Sequence, residues 1–356
     1  MSPHNNRQLG ASALRWLVTI ALLAIIAAAL GVCAWFYRDY RQFVDAPLAI
    51  STADSTFDVA RGTSLRDIAT DLRNRHYSDA EPIYWRVLGR ELEVGARLHA
   101  GEYALPIGTT PRQLLLKMAA GDVLQHRFTI VDGWTFKELR VALANESGLQ
   151  QRLAAKSDAD IATELGIAEA APEGWFLPET YAWIKGDADL DVLKRAHAAM
   201  GKALDRLWSA RDQDVPLKSP YEALILASIV EKESGHSDER AQIAGVFARR
   251  LKLGMRLQTD PTVIYGLGAN YNGRLRRADL DGDTPWNTYT RDGLPPTPIA
   301  LPGESALESV MHPAQGKALY FVAVGDGSGR HVFSATLDEH NHAVANYLAQ
   351  LKPANR

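Results

Sequence analysis

Residues 219–235 read SPYEALILASIVEKESG, and the reading of that run decides the fold. Ser219 can cap a helix, Pro220 suits its first position, and Glu222 stands where a capping box places an acid. Residues 223–230 are apolar on every side, which predicts a helix buried all round rather than one lying on a surface. Gly235 stands where such a helix stops. The last turn carries Glu231, Lys232 and Glu233. Residues two apart on a helix point about 200° apart, so at most one of the two acids can face a given site. A carboxyl at this end meets the negative pole of the helix dipole and loses water, and both effects favour its protonated form. Those are the conditions for a general acid. Two solvated helix-end acids are the plainer reading, and the segment by itself leaves both open.

Working outward, the chain has 356 residues, 46% hydrophobic and 23% charged, an ordinary globular composition with room for two or three domains. A net charge of -3, with no phosphate loop and no zinc-type Cys/His spacing, argues against nucleic-acid binding. The single cysteine, Cys33, cannot form an internal disulfide.

Residues 16–37 carry no charge over a length of about 33 Å as a helix, enough to cross a bilayer core. Trp16, Trp35, Phe36 and Tyr37 mark the two ends. The run is too long for the apolar core of a cleaved signal peptide, and LGVC at 30–33 makes a poor lipoprotein site because Val32 precedes the cysteine and bulky aromatics follow. Arg7 and Arg15 flank the first end without acids, whereas Arg38 and Arg41 alternate with Asp39 and Asp45 beyond the second. This bias predicts a cytoplasmic N-terminus (1–15), a single-pass anchor in the plasma (inner) membrane, and the remainder outside it.

The segment after the anchor repeats itself. FDVARGTSLRDI from Phe57, YALPIGTTPRQL from Tyr103 and FTIVDGWTFKEL from Phe128 share one pattern. Each reads as a short alternating strand, a glycine turn and a helix opened by a capping box, at Ser64/Asp67, Thr110/Gln113 and Thr135/Glu138. The first copy also resembles the opening of a LysM module, a small fold that binds N-acetylglucosamine-containing glycans. A spacer holding the C-terminal part off the membrane is the alternative.

Residues 157–166 read as a short capped helix. The segment EGWFLPETYAW from Glu173 then gathers aromatics and acids, including Glu179 and Tyr181, and could stack sugars or form a buried strand. Leu190, Leu193, His197, Met200, Leu204, Leu207 and Trp208 recur at helical spacing, with His197 expected to pack rather than ligate. A second helix through Ile243, Val246, Phe247 and Leu251 ends near Gly254. The run MRLQTDPTVIYG from Met255 sets Gln258, Thr259, Asp260 and Tyr265 around a proline, as a loop presenting side chains does; Asn287 and Tyr289 follow in the same style. Residues 319–324 and 331–334, joined by GDGSG, read as a β-hairpin, and Thr336 with Glu339 caps a final helix to about Leu351. His340 and His342 on that helix diverge, which disfavours a metal site. Arg249, Arg250, Arg256, Arg274, Arg276 and Arg277 cluster in sequence, as a solvated face or a grip on an anionic substrate.

LASIVEKES from Leu226, GMRLQTDPTVIYGLG from Gly254, WNTYTRDGLPP from Trp286, MHPA from Met311 and HVFSATLDEHN from His331 together resemble the YceG-like (MltG) family of endolytic murein transglycosylases. The resemblance covers nearly everything after the anchor. It implies an α+β chain: a transmembrane helix, strand–turn–helix repeats over 48–143 with a LysM-like module, and a mixed α/β catalytic domain over 145–351. The implied activity is that of a peptidoglycan lyase, with the catalytic acid on the second glutamate of E-K-E-[ST], here Glu233. Substrate contacts are expected among Gln258, Thr259, Asp260, Tyr265, Asn287, Tyr289, Glu179 and Tyr181. Peptidoglycan glycan strands are the implied substrate, their termination the implied role, and peptidoglycan synthases candidate partners; no metal or cofactor is implied. Trp286 departs from the family's usual tyrosine, and Thr297 and Leu301 stand where glycine and asparagine are common, which puts substrate contacts at 297 and 301 in doubt.

In the implied reaction one carboxyl protonates the glycosidic oxygen and then takes the proton of the muramic C6 hydroxyl, closing a 1,6-anhydro ring. A hydrolase needs a second carboxylate about 5–10 Å away, for which Asp260 and Asp279 are the candidates. A non-catalytic wall-binding scaffold is the third reading.

Overall fold

The computed structural model describes residues 7–351 except 54, 96 and 170. The chain divides into two compact units, Met1–Gln125 and His126–Arg356.

The first unit opens with α1 (Arg7–Asp45). Its stretch Leu14–Asp45 is long and apolar enough to cross a membrane, the most apolar 18 residues having a mean hydropathy of 2.7. The helix does not end at Tyr37, where the uncharged run stops. Tyr40 and Val44, one turn apart, are buried in the core of the unit and carry the helix on to Asp45. β1 (Thr56–Val59), α2 (Leu65–Asn74), α3 (Pro82–Glu91), β2 (Gly101–Ala104) and α4 (Pro111–Ala120) follow. β1 and β2 pair antiparallel with Phe57 opposite Tyr103, so the opening residues of the first two repeats meet across a two-stranded sheet. Trp85, Leu88, Ile68, Leu72 and Leu114 fill the space beneath it.

Each repeat carries the cap expected of it. Ser64, Thr110 and Thr135 accept from the backbone of Asp67, Gln113 and Glu138, whose side chains return the bond. The turn glycines Gly62, Gly108 and Gly133 have φ of 82°, 94° and 77°, the left-handed region that a β-carbon disfavours. The third copy lies in the second unit, where β3 (Gln125–Thr129) pairs not with a repeat strand but with β4 (Thr180–Ile184).

Beside β3 and β4 the second unit contains α5 (Phe136–Ala144), α6 (Asp158–Leu165), α7 (Asp189–Ala210), α8 (Pro220–Glu233), α9 (Ser237–Lys252), α10 (Asp260–Leu267), a short 3-10 turn, α11 (Arg277–Asp281), α12 (Glu304–Met311), β5 (Tyr320–Ala323), β6 (His331–Ser334) and α13 (Leu337–Leu351). β5 and β6 form the expected antiparallel hairpin, Tyr320 opposite Ser334. One apolar cluster surrounds the β3–β4 sheet and α5, and the other surrounds α8. Phe176, Tyr181 and Trp183 are buried in the first of these, so the aromatic segment is a core strand rather than a sugar platform. His197 packs as expected, its Nδ1 3.2 Å from the Trp175 carbonyl.

α8 is the axis of this unit. Residues 223–231 are all buried, against α7, α9, α10 and α12. Its cap is only half of the expected box: Ser219 accepts from the Glu222 amide at 3.2 Å, but the Glu222 carboxylate accepts from Lys218 N at 2.6 Å.

Candidate functional site

The last turn of α8 separates its two acids. Glu231 turns into the protein, where its Oε1 lies 2.5 Å from Arg240 Nη2 and its Oε2 accepts from the Gly303 amide at 3.0 Å. Arg240 comes from the first turns of α9, so this ion pair ties two helices and the 301–303 segment together. That segment is also pinned to the third repeat: Gly133 N donates to Leu301 O (2.9 Å), and Leu301 N to Trp134 O (2.7 Å). A β-carbon at Gly303 would lie 2.3 Å from Asp132 Oδ1, so a larger residue there would have to displace that exposed side chain. Lys232, between the acids, is exposed and donates to Gly133 O at 3.1 Å.

Glu233 faces the other way. It is the final helical residue and is partly exposed. Its Oε1 accepts a hydrogen bond from the Thr259 hydroxyl. Removal of water around the carboxyl pushes its pKa up to about 7; the Thr259 bond works against this rise and the negative charge of Asp260 adds to it. Near neutrality, then, this carboxyl holds its proton in about half the population, which an ordinary solvated glutamate does not.

Thr259 is placed by a small network of hydroxyls. Its amide donates to Thr288 Oγ1 (3.1 Å), Thr262 Oγ1 donates to its carbonyl (2.7 Å), and the Thr262 and Thr288 hydroxyls lie 2.9 Å apart. Thr259 and Thr262 flank the Asp260-Pro261 start of α10, one helical turn apart, which brings both to the same face. Gln258, just before, has φ of 51°, uncommon for a residue with a side chain. It is held by its amide on Thr288 O (3.2 Å) and by Arg250 Nη1 on its side-chain oxygen (3.4 Å). Asp260 is exposed and accepts from Tyr289 OH at 2.6 Å.

Of the residues expected at the site, the structure therefore gathers Thr259, Asp260 and Tyr289 around Glu233, while Gln258 gives its side-chain oxygen to Arg250. Asn287 belongs to the same loop but is fully buried. Its side-chain amide donates to Leu280 O (3.0 Å) and Gly282 O (2.7 Å), and its oxygen accepts from Tyr289 N (2.8 Å), so it shapes the loop from within. Tyr265 points along α10 to a second buried acid, Glu173, donating to its Oε2 at 3.1 Å. Glu173 Oε1 accepts from Phe136 N at 2.9 Å, and burial lifts this carboxyl too to about 7. Glu179 immediately precedes β4 and is exposed, while Tyr181, on β4, is buried and donates its hydroxyl to Leu177 O at 2.7 Å.

Asp279 is committed elsewhere, accepting from the Arg276 backbone at 2.8 Å and side chain at 3.1 Å as the cap of α11. Two of the family departures meet each other: Trp286 Nε1 donates to Thr297 Oγ1 at 2.9 Å. Leu301, the third, is buried in the core. The arginine cluster is neither a uniform solvated face nor a single grip. Arg249 and Arg250 bond backbone carbonyls, Arg256, Arg276 and Arg277 pair with Asp292, Asp279 and Asp281, and Arg274 is exposed. A polar cavity of about 460 Å³ is walled by residues 285–288 and 290–296; Glu233 is not among its walls. Among the described residues no three His, Cys, Asp or Glu side chains converge as a metal ion requires.

The roles of Thr262, Thr288, Arg240 and Glu173 escape a reading of the sequence. The i,i+3 spacing of Thr259 and Thr262 across a helix start is the one local signal that could have found part of this network.

The sequence model of the YceG-like family matches residues 57–346. The chain belongs to the YceG-like family. It is 28% identical over 309 residues to the endolytic murein transglycosylase of Bacillus subtilis, covering 82% of this chain and 84% of that protein. It is 25% identical over 348 residues to the endolytic murein transglycosylase of Streptococcus pneumoniae, covering 88% of this chain and 62% of that longer protein. A 2.6 Å crystal structure of a YceG-like protein from Listeria monocytogenes shares 28% identity and a TM-score of 0.52, over 82% of this chain and 99% of that one. The YceG-like match takes in both units and the whole of the Glu233 neighbourhood.

Proposed function

We propose that this YceG-like chain is a membrane-anchored endolytic lytic transglycosylase of peptidoglycan with Glu233 as its single acid and base. The observation that carries the reading is the division of labour on the last turn of α8. Glu231 is neutralised by Arg240, whereas Glu233 has no cationic partner among the described residues, is partly exposed and is protonated up to about neutral pH. The name of the Bacillus and Streptococcus relatives, endolytic murein transglycosylase, supports the substrate.

Because the Thr259 hydroxyl donates to Oε1, the acid proton belongs on Oε2. Glu233 donates it to the oxygen between N-acetylmuramic acid and N-acetylglucosamine as the bond to C1 breaks, leaving an oxocarbenium-like sugar. The carboxylate, now stabilised by Thr259, takes the proton of the C6 hydroxyl as that oxygen attacks C1. The ring closes as 1,6-anhydro-muramic acid, no water is consumed, and the enzyme returns to its starting protonation state. A hydrolase is the second reading, favoured by Asp260, whose charge acts on Glu233. Mass analysis of products from purified glycan strands separates them: anhydro ends support the lyase, reducing ends the hydrolase, and no new ends a scaffold.

In the same reading α1 crosses the plasma membrane with its N-terminus in the cytoplasm, and everything from about Arg38 onward is outside. Protease added to spheroplasts should then digest both units, and their protection would remove the cell-wall substrate. The LysM-like repeats of the first unit bind glycan in this reading. Deleting residues 48–120 from a Glu233→Gln chain should weaken its retention on wall polymer; equal retention makes them a spacer.

A further inference from the structure

α3 packs across α1 where the apolar span meets the folded unit. Tyr84 lies 5.2 Å from Phe36 and 5.7 Å from Phe43, ring centre to ring centre, and its hydroxyl donates to Asp39 at 2.5 Å. One turn further along α3, Val87 lines an apolar groove with Val32, Cys33, Phe36, Tyr37 and Tyr40 of α1. Those α1 residues cover about 12 Å of helix, a length comparable to the headgroup band plus the margin of the acyl region. α1 is continuous through this stretch and its far end, at Tyr40 and Val44, is buried in the unit. The depth of α3 relative to the bilayer is therefore fixed by the depth of residues 32–40.

The face that α3 turns away from its own core suits that level. Trp85, Leu88 and Gly89 are buried. On the opposite arc, within about 100° on a helical projection, stand Ile83, Arg86, Val87 and Arg90. Ile83 is 44% exposed, Val87 is partly exposed, and Arg86 and Arg90 are exposed and form no ion pair among the described residues. Apolar side chains interleaved with uncompensated cations, beside Trp35 and Tyr37 at the end of an apolar span, make up the composition of a segment lying in a membrane interface. We propose that the first unit is seated in the bilayer–water interface on α3, with Ile83 and Val87 in the acyl boundary and Arg86 and Arg90 on anionic lipid headgroups. The inference rests on the reading of α1 as a membrane span.

The test uses the full chain in vesicles of phosphatidylethanolamine and phosphatidylglycerol. On a Cys33→Ser background, single cysteines replace Ala24 (mid-span), Ile83, Val87 and Arg66 (on α2), and each carries a fluorophore. Quenching by a nitroxide-bearing lipid is compared with quenching by aqueous iodide. Labels at 24, 83 and 87 should be quenched by the lipid and shielded from iodide, with 66 the reverse. Adding Arg86→Glu and Arg90→Glu should weaken lipid quenching at 83, and doing so only when phosphatidylglycerol is present assigns the headgroup. Labels at 83 and 87 that behave like 66 while 24 stays lipid-quenched overturn the seating and leave the span standing. A label at 24 open to iodide overturns the span, and the seating with it. Unchanged quenching at 83 in the double glutamate variant overturns the headgroup pairing.

Discussion

Glu231 and Glu233, two residues apart on α8, have opposite electrostatic partners: Glu231 meets the Arg240 guanidinium at 2.5 Å, and Glu233 meets only the neutral hydroxyl of Thr259, with the carboxylate of Asp260 nearby. Burial pushes the pKa of both carboxyls up, and among the described residues only Glu231 has a cation, Arg240, to oppose the rise.

Glu233→Gln keeps the hydrogen-bonding reach of the side chain but has no proton to give. Cleavage of glycan strands should fall by about 10²–10⁴-fold or more, with substrate retention preserved. Glu231→Gln should still cleave, yet it leaves Arg240 buried without its partner, which should cost about 3–5 kcal/mol in denaturant unfolding. A dead but fully stable Glu231→Gln would exchange the two roles.

The rate should decline as pH rises through about 7, because only the protonated carboxyl can start the reaction. A rate that climbs across that window would mean Glu233 acts first as a base.

The limb of that profile should move in opposite directions for two neighbours. Thr259→Val removes the bond that favours the charged form, so the limb shifts to higher pH; Asp260→Asn removes a repelling charge, so it shifts lower. Asp260→Asn should retain anhydro products. If it abolishes cleavage instead, Asp260 has a chemical role.

Stability carries the same signature. The folded pKa values of Glu173 and Glu233 are about 7, above the ordinary 4.5, so the folded state holds protons that the unfolded chain releases. Their contribution is fully present below about pH 4.5 and is lost as pH rises through about 7. Glu233→Gln, which has no charge to bury, should therefore be more stable than wild type at pH 8 by a few kcal/mol, and the gap should close near pH 4.5. A gap that is constant with pH would contradict a raised Glu233.

The features legible in sequence are those written within a few residues. The caps at Ser64, Thr110 and Thr135 are spaced by three, and the all-round burial of α8 follows from its unbroken apolar run. The opposition of Glu231 and Glu233 follows from helix geometry. What decides between them does not: Arg240 is nine residues from Glu231, and Thr259 is 26 residues from Glu233. Asn287 looked like a ligand because polar loop residues usually face water; here its amide replaces missing backbone partners of the 280–289 turn. The repeats look equivalent in sequence, yet the third has β4 as its partner, a choice made by residues about 50 positions away.

Arg250 reaches from α9 to the carbonyls of Leu319 (2.6 Å), Arg256 (3.1 Å) and Leu257 (2.9 Å). One guanidinium thus spans the start of the β5–β6 hairpin and the strand of chain that delivers Thr259 to Glu233. The two segments cannot open separately without leaving buried donors unmet. They form one cooperative unfolding unit, so the amides of 257–262 and 319–323 should exchange with solvent at a common rate. Heat inactivation should then coincide with the opening of the C-terminal hairpin, some 60 residues beyond Thr259, the partner it keeps in place for the acid.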